Sequence, residues 1–188
     1  MAGAKIGYRP IVCLESLWDD DLNARLTMEP VLRTVSTFNR VSFIHFTCNT
    51  APELEHNLKL LRRRTKPGVL YLALHGYPGH VELDGAAISL PSLAGLLGKH
   101  FRRWVLHLGT CETIAVPAGD LDAFLRWTGI AMVLGYRKSV DWIDAAATDF
   151  LLLDWLENRQ ALGPMWGGFR GAYPDLIRKT GLLAHVRR

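Results

Sequence analysis

The sequence has only three cysteines, no long apolar run and no strong excess of one charge. None of its apolar stretches reaches the roughly 18 residues that a membrane span needs, so we expect no membrane-spanning helix. Residues 1–10 lack the apolar core of a secretory signal. The cysteines are too few, and their neighbours too apolar, for a disulfide framework. These absences predict a cytoplasmic protein.

The charges of the chain are almost balanced. Lys and Arg number 22 against 18 Asp and Glu, which gives a net charge of +4 and a pI near 9.1. The basic residues cluster at residues 62–66, 102–103 and 187–188. Such clusters usually mark solvated helix ends. No aromatic interleaving or nucleic-acid motif accompanies them, so we expect no nucleic-acid partner.

Several common catalytic and cofactor motifs are also missing. No strand is followed by Gly-x-Gly-x-x-Gly and no Walker A sequence is present, which argues against a nucleotide site and disfavours a flavodoxin-like ligand-binding domain. Without a Gly-x-Ser-x-Gly elbow, a serine hydrolase is not expected. His107 and Cys111 could begin a zinc site, but no third and fourth ligands follow at metal spacing. We therefore expect neither a metal ion nor another cofactor.

Apolar strands and amphipathic helices alternate along the 188 residues, 49% of which are hydrophobic. A chain of this length and composition can bury one sizeable core. The apolar runs predict strands at residues 11–14, 41–46, 69–74, 104–108 and 130–134, with a hairpin around Asp84-Gly85. Helices are predicted near residues 27–38, 50–66, 89–97, 118–128, 141–158 and 173–183.

This alternation predicts an α/β fold, a three-layer αβα sandwich around a mostly parallel sheet. We expect a single domain over residues 1–188, with a core at about 1–162 and a C-terminal helical appendage at 163–188. The appendage begins with a Gly- and Pro-rich stretch at residues 163–171.

In sheets of this kind the site lies at the C-terminal ends of the strands. The third strand is followed by His75-Gly76, and the fourth by Gly109-Thr110-Cys111. If these strands are neighbours, about 4.8 Å apart, an imidazole and a thiol can face one reacting group. That pairing favours nucleophilic thiol chemistry.

Other interpretations of the same residues are open. Cys111 could be a buried core thiol, which is the commoner role of a lone cysteine. His80 and His107 compete with His75, but they are predicted inside the hairpin and a strand, where a structural role is simpler.

Three segments resemble the caspase-like (clan CD) cysteine peptidases. The segment LYLALHGYPGHVELDG at residues 70–85 is similar to their His block, in which an apolar strand ends in His-Gly and a hairpin follows. VLHLGTCET at residues 105–113 is similar to their nucleophile block, and its Cys-Glu-Thr is closest to bacterial CHAT-type domains. VLGYRKSVDW at residues 133–142 resembles the CHAT stretch after the nucleophile helix. The resemblance covers about residues 69–156.

The resemblance implies a caspase-like fold with a small hairpin after the His-bearing strand. It implies a cysteine endopeptidase that cleaves a protein or peptide through a His75/Cys111 dyad. The backbone N–H groups of Gly76 and Cys111 would form the oxyanion hole. It also implies a bacterial defence or signalling effector that is controlled by a regulatory partner protein. The alternative is a catalytically silent caspase-like module that binds a partner protein, against which the intact His and Cys argue.

The resemblance also suggests residues that bind substrate. Asp141 matches an acidic CHAT position, and in the P1 pocket it would favour a basic P1 residue. Arg137 and Lys138 lie nearby in the sequence and favour an acidic one, so the P1 preference is open. Trp142 could wall the pocket, and Gly109 stands where related peptidases carry a polar or acidic pocket residue.

Overall fold

A computed structural model describes residues 9–18, 26–64 and 66–187. Residues 1–8, which belong to the segment without a secretory-signal core, lie outside these ranges, as do residues 19–25, 65 and 188. The strands are β1 (Ile11–Glu15), β2 (Phe43–Thr47), β3 (Val69–Ala73), β4 (His75–Tyr77), β5 (His80–Leu83), β6 (Ala86–Ser89), β7 (Val105–Leu108), β8 (Met132–Tyr136) and β9 (Leu182–Val186). The helices are α1 (Glu29–Asn39), α2 (Ala51–Leu61), α3 (Leu90–Leu97), α4 (Ala118–Thr128), α5 (Trp142–Asn158), α6 (Leu162–Ala172) and α7 (Pro174–Thr180).

The central sheet has the order β2-β1-β3-β7-β8-β9. Its first five strands are parallel, and β9 joins antiparallel to β8. Along β3, alternate side chains enter different cores: Leu70 and Leu72 pack with α2, α3 and α4, whereas Val69 and Tyr71 pack with α1, α5 and α6. The sheet is therefore covered on both faces, which confirms the predicted three-layer α/β architecture.

A second, antiparallel sheet has the order β4-β5-β6. Its β5–β6 turn has Asp84 and Gly85 at φ +46° and +70°, the two positive values of a type I′ hairpin. The hairpin predicted after the His-bearing strand is thus confirmed. The sequence did not predict β4, which contains His75 and pairs it with Glu82 of β5.

Local capping signals explain several helix ends. The Thr50 side chain accepts from the backbone N–H of Glu53, whose carboxylate accepts from the N–H of Thr50, so the capping box of α2 is formed. Gly129, at φ +74°, ends α4 as predicted. Among the described residues, no helix combines the length and apolar character that crossing a bilayer requires.

The C-terminal segment differs from the prediction in two ways. The Gly- and Pro-rich stretch lies within α6, and its Met165 and Phe169 side chains are buried against the sheet. The predicted final helix stops at Thr180, because Gly181 adopts a left-handed φ of +69°, and β9 follows. The prediction that residues 163–188 form a helical appendage is therefore wrong for residues 182–186. These residues form β9, a strand of the central sheet. The division into one domain with a core at 1–162 stays a prediction.

Candidate active site

A cleft of about 180 Å³ lies at the C-terminal ends of β3, β7 and β8. The strands β3 and β7 are hydrogen-bonded neighbours, with Leu72 beside Leu108. His75 follows β3 and Cys111 follows β7, and both side chains line the cleft. The remaining lining residues are Trp18, Met28, Tyr71, Gly109, Thr110, Tyr136, Val140, Trp142 and Ala145. The fold thus brings the predicted His and Cys to one cleft, together with Gly109 and Trp142.

Cys111 is half-buried at a sharp turn. Its Sγ lies 4.0 Å from the carbonyl oxygen of Val140. The next residue, Glu112, has a φ of +56°, a left-handed conformation that is uncommon for a residue other than glycine. The N–H of Ala115 donates to the Glu112 carbonyl (2.7 Å), which closes the turn. The backbone therefore reverses directly after the thiol.

The other two thiols are enclosed in the core. Burial raises the pKa of Cys13 well above its ordinary value, and it raises the pKa of Cys48 to about 11. Both side chains are fully buried, so they are poor nucleophiles at neutral pH. Of the three cysteines, only Cys111 lines the cleft.

The imidazole of His75 is exposed and packs against Trp18. The two rings meet edge to face, with centroids 5.5 Å apart and an interplanar angle of 72°. Within the described part of the chain, the His75 imidazole has no hydrogen-bond partner. The indole ring beside it is therefore the contact that we expect to orient the imidazole.

Trp18 is itself held by Glu15, a buried carboxylate at the end of β1. The indole Nε1–H donates to Glu15 Oε1 (2.8 Å), and Thr27, Met28 and His45 also bond to this carboxylate. Burial alone would raise the pKa of Glu15, but the hydrogen bonds, that of His45 foremost, outweigh it and lower the pKa. The same bond raises the pKa of His45. A charged, fully bonded carboxylate thus fixes the ring that contacts His75.

The hairpin that carries His75 is clamped to the loop that carries Cys111. Thr113 Oγ1 donates to the His80 carbonyl oxygen (2.7 Å), and the N–H of Gly79 donates to the Thr113 carbonyl (3.1 Å). Gly76 does not line the cleft, but its Cα lies so close to Thr113 that any β-carbon would collide with Oγ1. A glycine at this position therefore lets the two elements approach.

A buried polar network forms the floor of the cleft. Tyr71 and Tyr136 donate from their hydroxyls to Asp149 (both 2.5 Å), and His107 Nε2 lies 2.6 Å from the same carboxylate. Burial, and then the charge of Asp149, raises the pKa of both tyrosines well above the ordinary value. The phenols therefore stay protonated donors. Gly109 packs on the Tyr71 ring, which a β-carbon would strike.

Several residues singled out in the sequence lie elsewhere. Asp141 caps α5, since its Oδ1 accepts from the N–H groups of Ile143 (2.9 Å) and Asp144 (3.4 Å). It does not line the cleft, so its P1 role stays a prediction. Lys138 is turned toward α7 and donates to the Arg178 carbonyl (3.0 Å). Neither Lys138 nor its neighbour Arg137 lines the cleft.

Apart from Trp142, the aromatic walls of the cleft were not predicted from the sequence, and neither was the buried Asp149 carboxylate. Trp18 follows the end of β1, so the same strand-end rule that located His75 could have found it. Asp149 lies within an apolar stretch of helix, where an unmatched charge is itself a signal of a buried partner. Within the described ranges, no three His, Cys, Asp or Glu side chains are grouped as metal ligands.

Comparisons with known proteins bear on the family and the fold. The model of the family of unknown function DUF6642 matches residues 9–164, so the chain belongs to that family. No curated protein matches the chain. A similar solved structure is that of a secreted C11 cysteine protease from Bacteroides thetaiotaomicron, in complex with an irreversible peptide inhibitor.

That structure superimposes with a TM-score of 0.60 at 8% sequence identity, over 89% of this chain and 59% of the protease. The chain thus corresponds to somewhat more than half of the protease's length. At this identity the likeness shows the fold alone, and it agrees with the predicted caspase-like α/β architecture. The closer resemblance to CHAT-type domains stays a prediction.

Proposed function

We propose that the chain is a cysteine endopeptidase that cleaves a protein or peptide substrate with Cys111 and His75. The observation that carries this proposal is the shared cleft: both side chains line it from the ends of neighbouring parallel strands. The caspase-like fold supports the proposal, because a cysteine protease has a similar structure.

In the proposed reaction, the Cys111 thiol gives up its proton to His75 while its sulfur forms a bond to the carbonyl carbon of the scissile peptide. The carbonyl oxygen becomes an oxyanion, and its proposed donors are the backbone N–H groups of Cys111, which lines the cleft, and of Gly76, which directly follows His75 but does not line the cleft. Loss of one such donor typically costs about 2.7–4 kcal/mol of transition-state stabilisation. The C–N bond then breaks, and His75 delivers a proton to the departing amine. Water hydrolyses the remaining thioester and regenerates the thiol.

The walls of the cleft favour a cationic P1 side chain over an anionic one. Rings of Trp18, Tyr71, Tyr136 and Trp142 line it, and aromatic faces attract cations. The Asp149 carboxylate lies directly beneath the two tyrosines. The sequence left the P1 preference open, with Asp141 favouring a basic residue and Arg137 and Lys138 an acidic one; the residues of the cleft support the basic choice.

The cellular role rests on the resemblance of residues 105–113 to CHAT-type domains. On that ground we place the enzyme among bacterial defence or signalling effectors, with another protein controlling its activity. A cytoplasmic location also stays a prediction, since the similar protease is a secreted protein.

The proposal is tested by incubating the protein with a peptide that carries a thiol-directed warhead and mapping the adduct by mass spectrometry. We expect modification at Cys111, and its loss in His75→Ala. His56→Ala, which changes an exposed histidine on α2, is the matched control and should label like the wild type. Equal labelling of all three cysteines, indifferent to His75, would contradict the proposal and favour a catalytically silent binding module.

A further inference from the structure

A second groove, of about 720 Å³, adjoins the cleft at His75 and Trp18, which line both. Cys111 does not line this groove. Its other walls come from the residues after β1, the loop before α2 and the tip of the β5–β6 hairpin; among them are Ser16, Asn49, Glu82 and Asp84. His75 therefore lines both the cleft and the groove, whereas Cys111 lines only the cleft.

Two carboxylates give the groove a negative potential. Glu82 is the cross-strand partner of His75, so the two side chains project from the same face of the small sheet, with Cβ atoms about 5 Å apart. Asp84 is exposed at the hairpin turn. Within the described ranges neither carboxylate has a hydrogen bond or an ion pair, and no Lys or Arg lines the groove. A cationic ligand would meet two carboxylates that no Lys or Arg of the described residues pairs with.

The wall of the groove also contains a buried hydroxyl without a partner among the described residues. Ser16 lines the groove and is only 7% exposed, yet its Oγ has no partner in the described part of the structure. Buried polar groups nearly always have a hydrogen-bond partner. Asn49 Oδ1 accepts from the N–H of Leu17 (3.0 Å), which leaves the Asn49 amide N–H groups for a ligand carbonyl. The Asn49 amide thus offers donors for a peptide carbonyl beside the two charges.

The proposed function identifies which part of a substrate reaches this groove. His75 gives its proton to the departing amine, so the residues after the cut lie on the side of His75 away from Cys111. We infer that the groove binds this leaving-group segment and selects a Lys or Arg at the first or second position after the cut. The inference rests on the proposed function and extends it to the second half of the substrate.

Cleavage of a peptide library that varies these two positions tests the inference on the full chain. We expect Lys and Arg peptides to be cleaved roughly tenfold faster than norleucine peptides, because a charge-assisted contact replaces an apolar one. Glu82→Gln with Asp84→Asn should abolish that ratio, and 0.5 M salt should reduce it. Asparagine tolerates the positive φ at position 84, so the turn is kept. Glu55→Gln with Asp175→Asn, an equal change of two charges on exposed residues of α2 and α7, should keep the ratio.

A binding measurement separates failure of the inference from failure of the proposed function. Cys111→Ala is titrated with fluorescent peptides that begin with Lys or with norleucine. Tighter binding of the Lys peptide that is lost with Glu82→Gln and Asp84→Asn supports the groove, even if the wild type cleaves nothing. Cleavage with no basic preference after the cut, or with a preference that survives both substitutions, overturns the inference and leaves the peptidase standing. Absence of both cleavage and selective binding overturns both.

Discussion

Thr113 connects the two halves of the proposed dyad, because its Oγ1 donates a 2.7 Å hydrogen bond to the backbone carbonyl oxygen of His80. Thr110 in turn donates from its hydroxyl to Thr113 Oγ1, also at 2.7 Å. Both threonines are buried on the Cys111 loop, whereas His80 belongs to the hairpin that begins with His75. The relative position of the His75 imidazole and the Cys111 thiol therefore depends on the hydroxyl groups of these two threonines.

Thr113→Val should uncouple the loop from the hairpin. It leaves the Thr110 hydroxyl and the His80 carbonyl without their partner, so the free energy of unfolding should fall by about 1–3 kcal/mol. The rate of warhead labelling at Cys111 should fall with it. Thr128→Val is the control, since Thr128 is equally buried and donates to the Phe124 carbonyl (2.8 Å). A similar stability loss with normal labelling is expected there; equal loss of labelling in both variants would show that the clamp has no specific role.

Trp18→Ala should leave His75 without the ring that orients it. Misplacement of a catalytic group by about 1 Å can cost a factor of 10², so we expect labelling of Cys111 to slow by roughly 10- to 100-fold. Trp18→Phe keeps a ring but loses the hydrogen bond to Glu15. Its labelling rate should lie between those of the wild type and Trp18→Ala. Trp127→Ala removes an indole that is 65% exposed on α4 and should leave the rate unchanged. If Trp18→Ala labels at the wild-type rate, the ring does not position the imidazole.

Asp149→Ala should be strongly destabilising. Two phenol hydroxyls and His107 lose their shared acceptor in a fully buried site, so we expect a loss of about 3–5 kcal/mol in urea unfolding. Asp154→Ala, on the same helix, removes a half-buried carboxylate that accepts from Asn39 and Asn158. The free energy of unfolding of Asp154→Ala should fall by only about 1 kcal/mol. Equal losses would contradict the special position of Asp149.

Glu157 should make the protein less stable as the pH rises from about 4.5 to 7. Burial raises its pKa from 4.5 to about 7, although the N–H of Arg9 donates to Oε2 (2.9 Å). Between these values the folded chain keeps a proton that the unfolded chain has released. Stability therefore falls with rising pH, by up to about 3 kcal/mol, and this contribution is constant above pH 7.

Glu157→Gln should remove that slope in urea unfolding measured across the same pH range. His45 contributes a slope of the same sign, because its raised pKa stabilises the fold below its ordinary value of 6.5 and this is lost as pH rises through the folded pKa. In His45→Gln, the fall in the free energy of unfolding below pH 6, which we attribute to Glu157, should therefore remain. An unchanged profile in Glu157→Gln would contradict the assignment.

The location of the candidate active site could be predicted because the sequence features that indicate it are local. His75 and Cys111 each follow an apolar strand, and parallel strands bring such ends to one edge. The bounds of α4 were likewise predicted, since Gly129 marks its end.

What the sequence could not predict depends on contacts between distant residues. The glycines of α6 oppose a helix by propensity, and its burial through Met165 and Phe169 overrides them. His107 and Asp149 are 42 residues apart, and nothing in either neighbourhood indicates the other. The strand β9 was missed because an apolar segment after a helix can extend it; only the left-handed Gly181 separates the two.

The most direct test of the central claim is hydrolysis itself. The full chain is incubated with a proteome-derived peptide library, and new amino termini are sequenced by mass spectrometry. We expect defined cleavages that decrease by at least about 10³-fold in Cys111→Ala and in His75→Ala, since the members of a catalytic unit fail together. Cleavages that persist in both variants, or a wild-type chain that produces none, would contradict a Cys111/His75 peptidase.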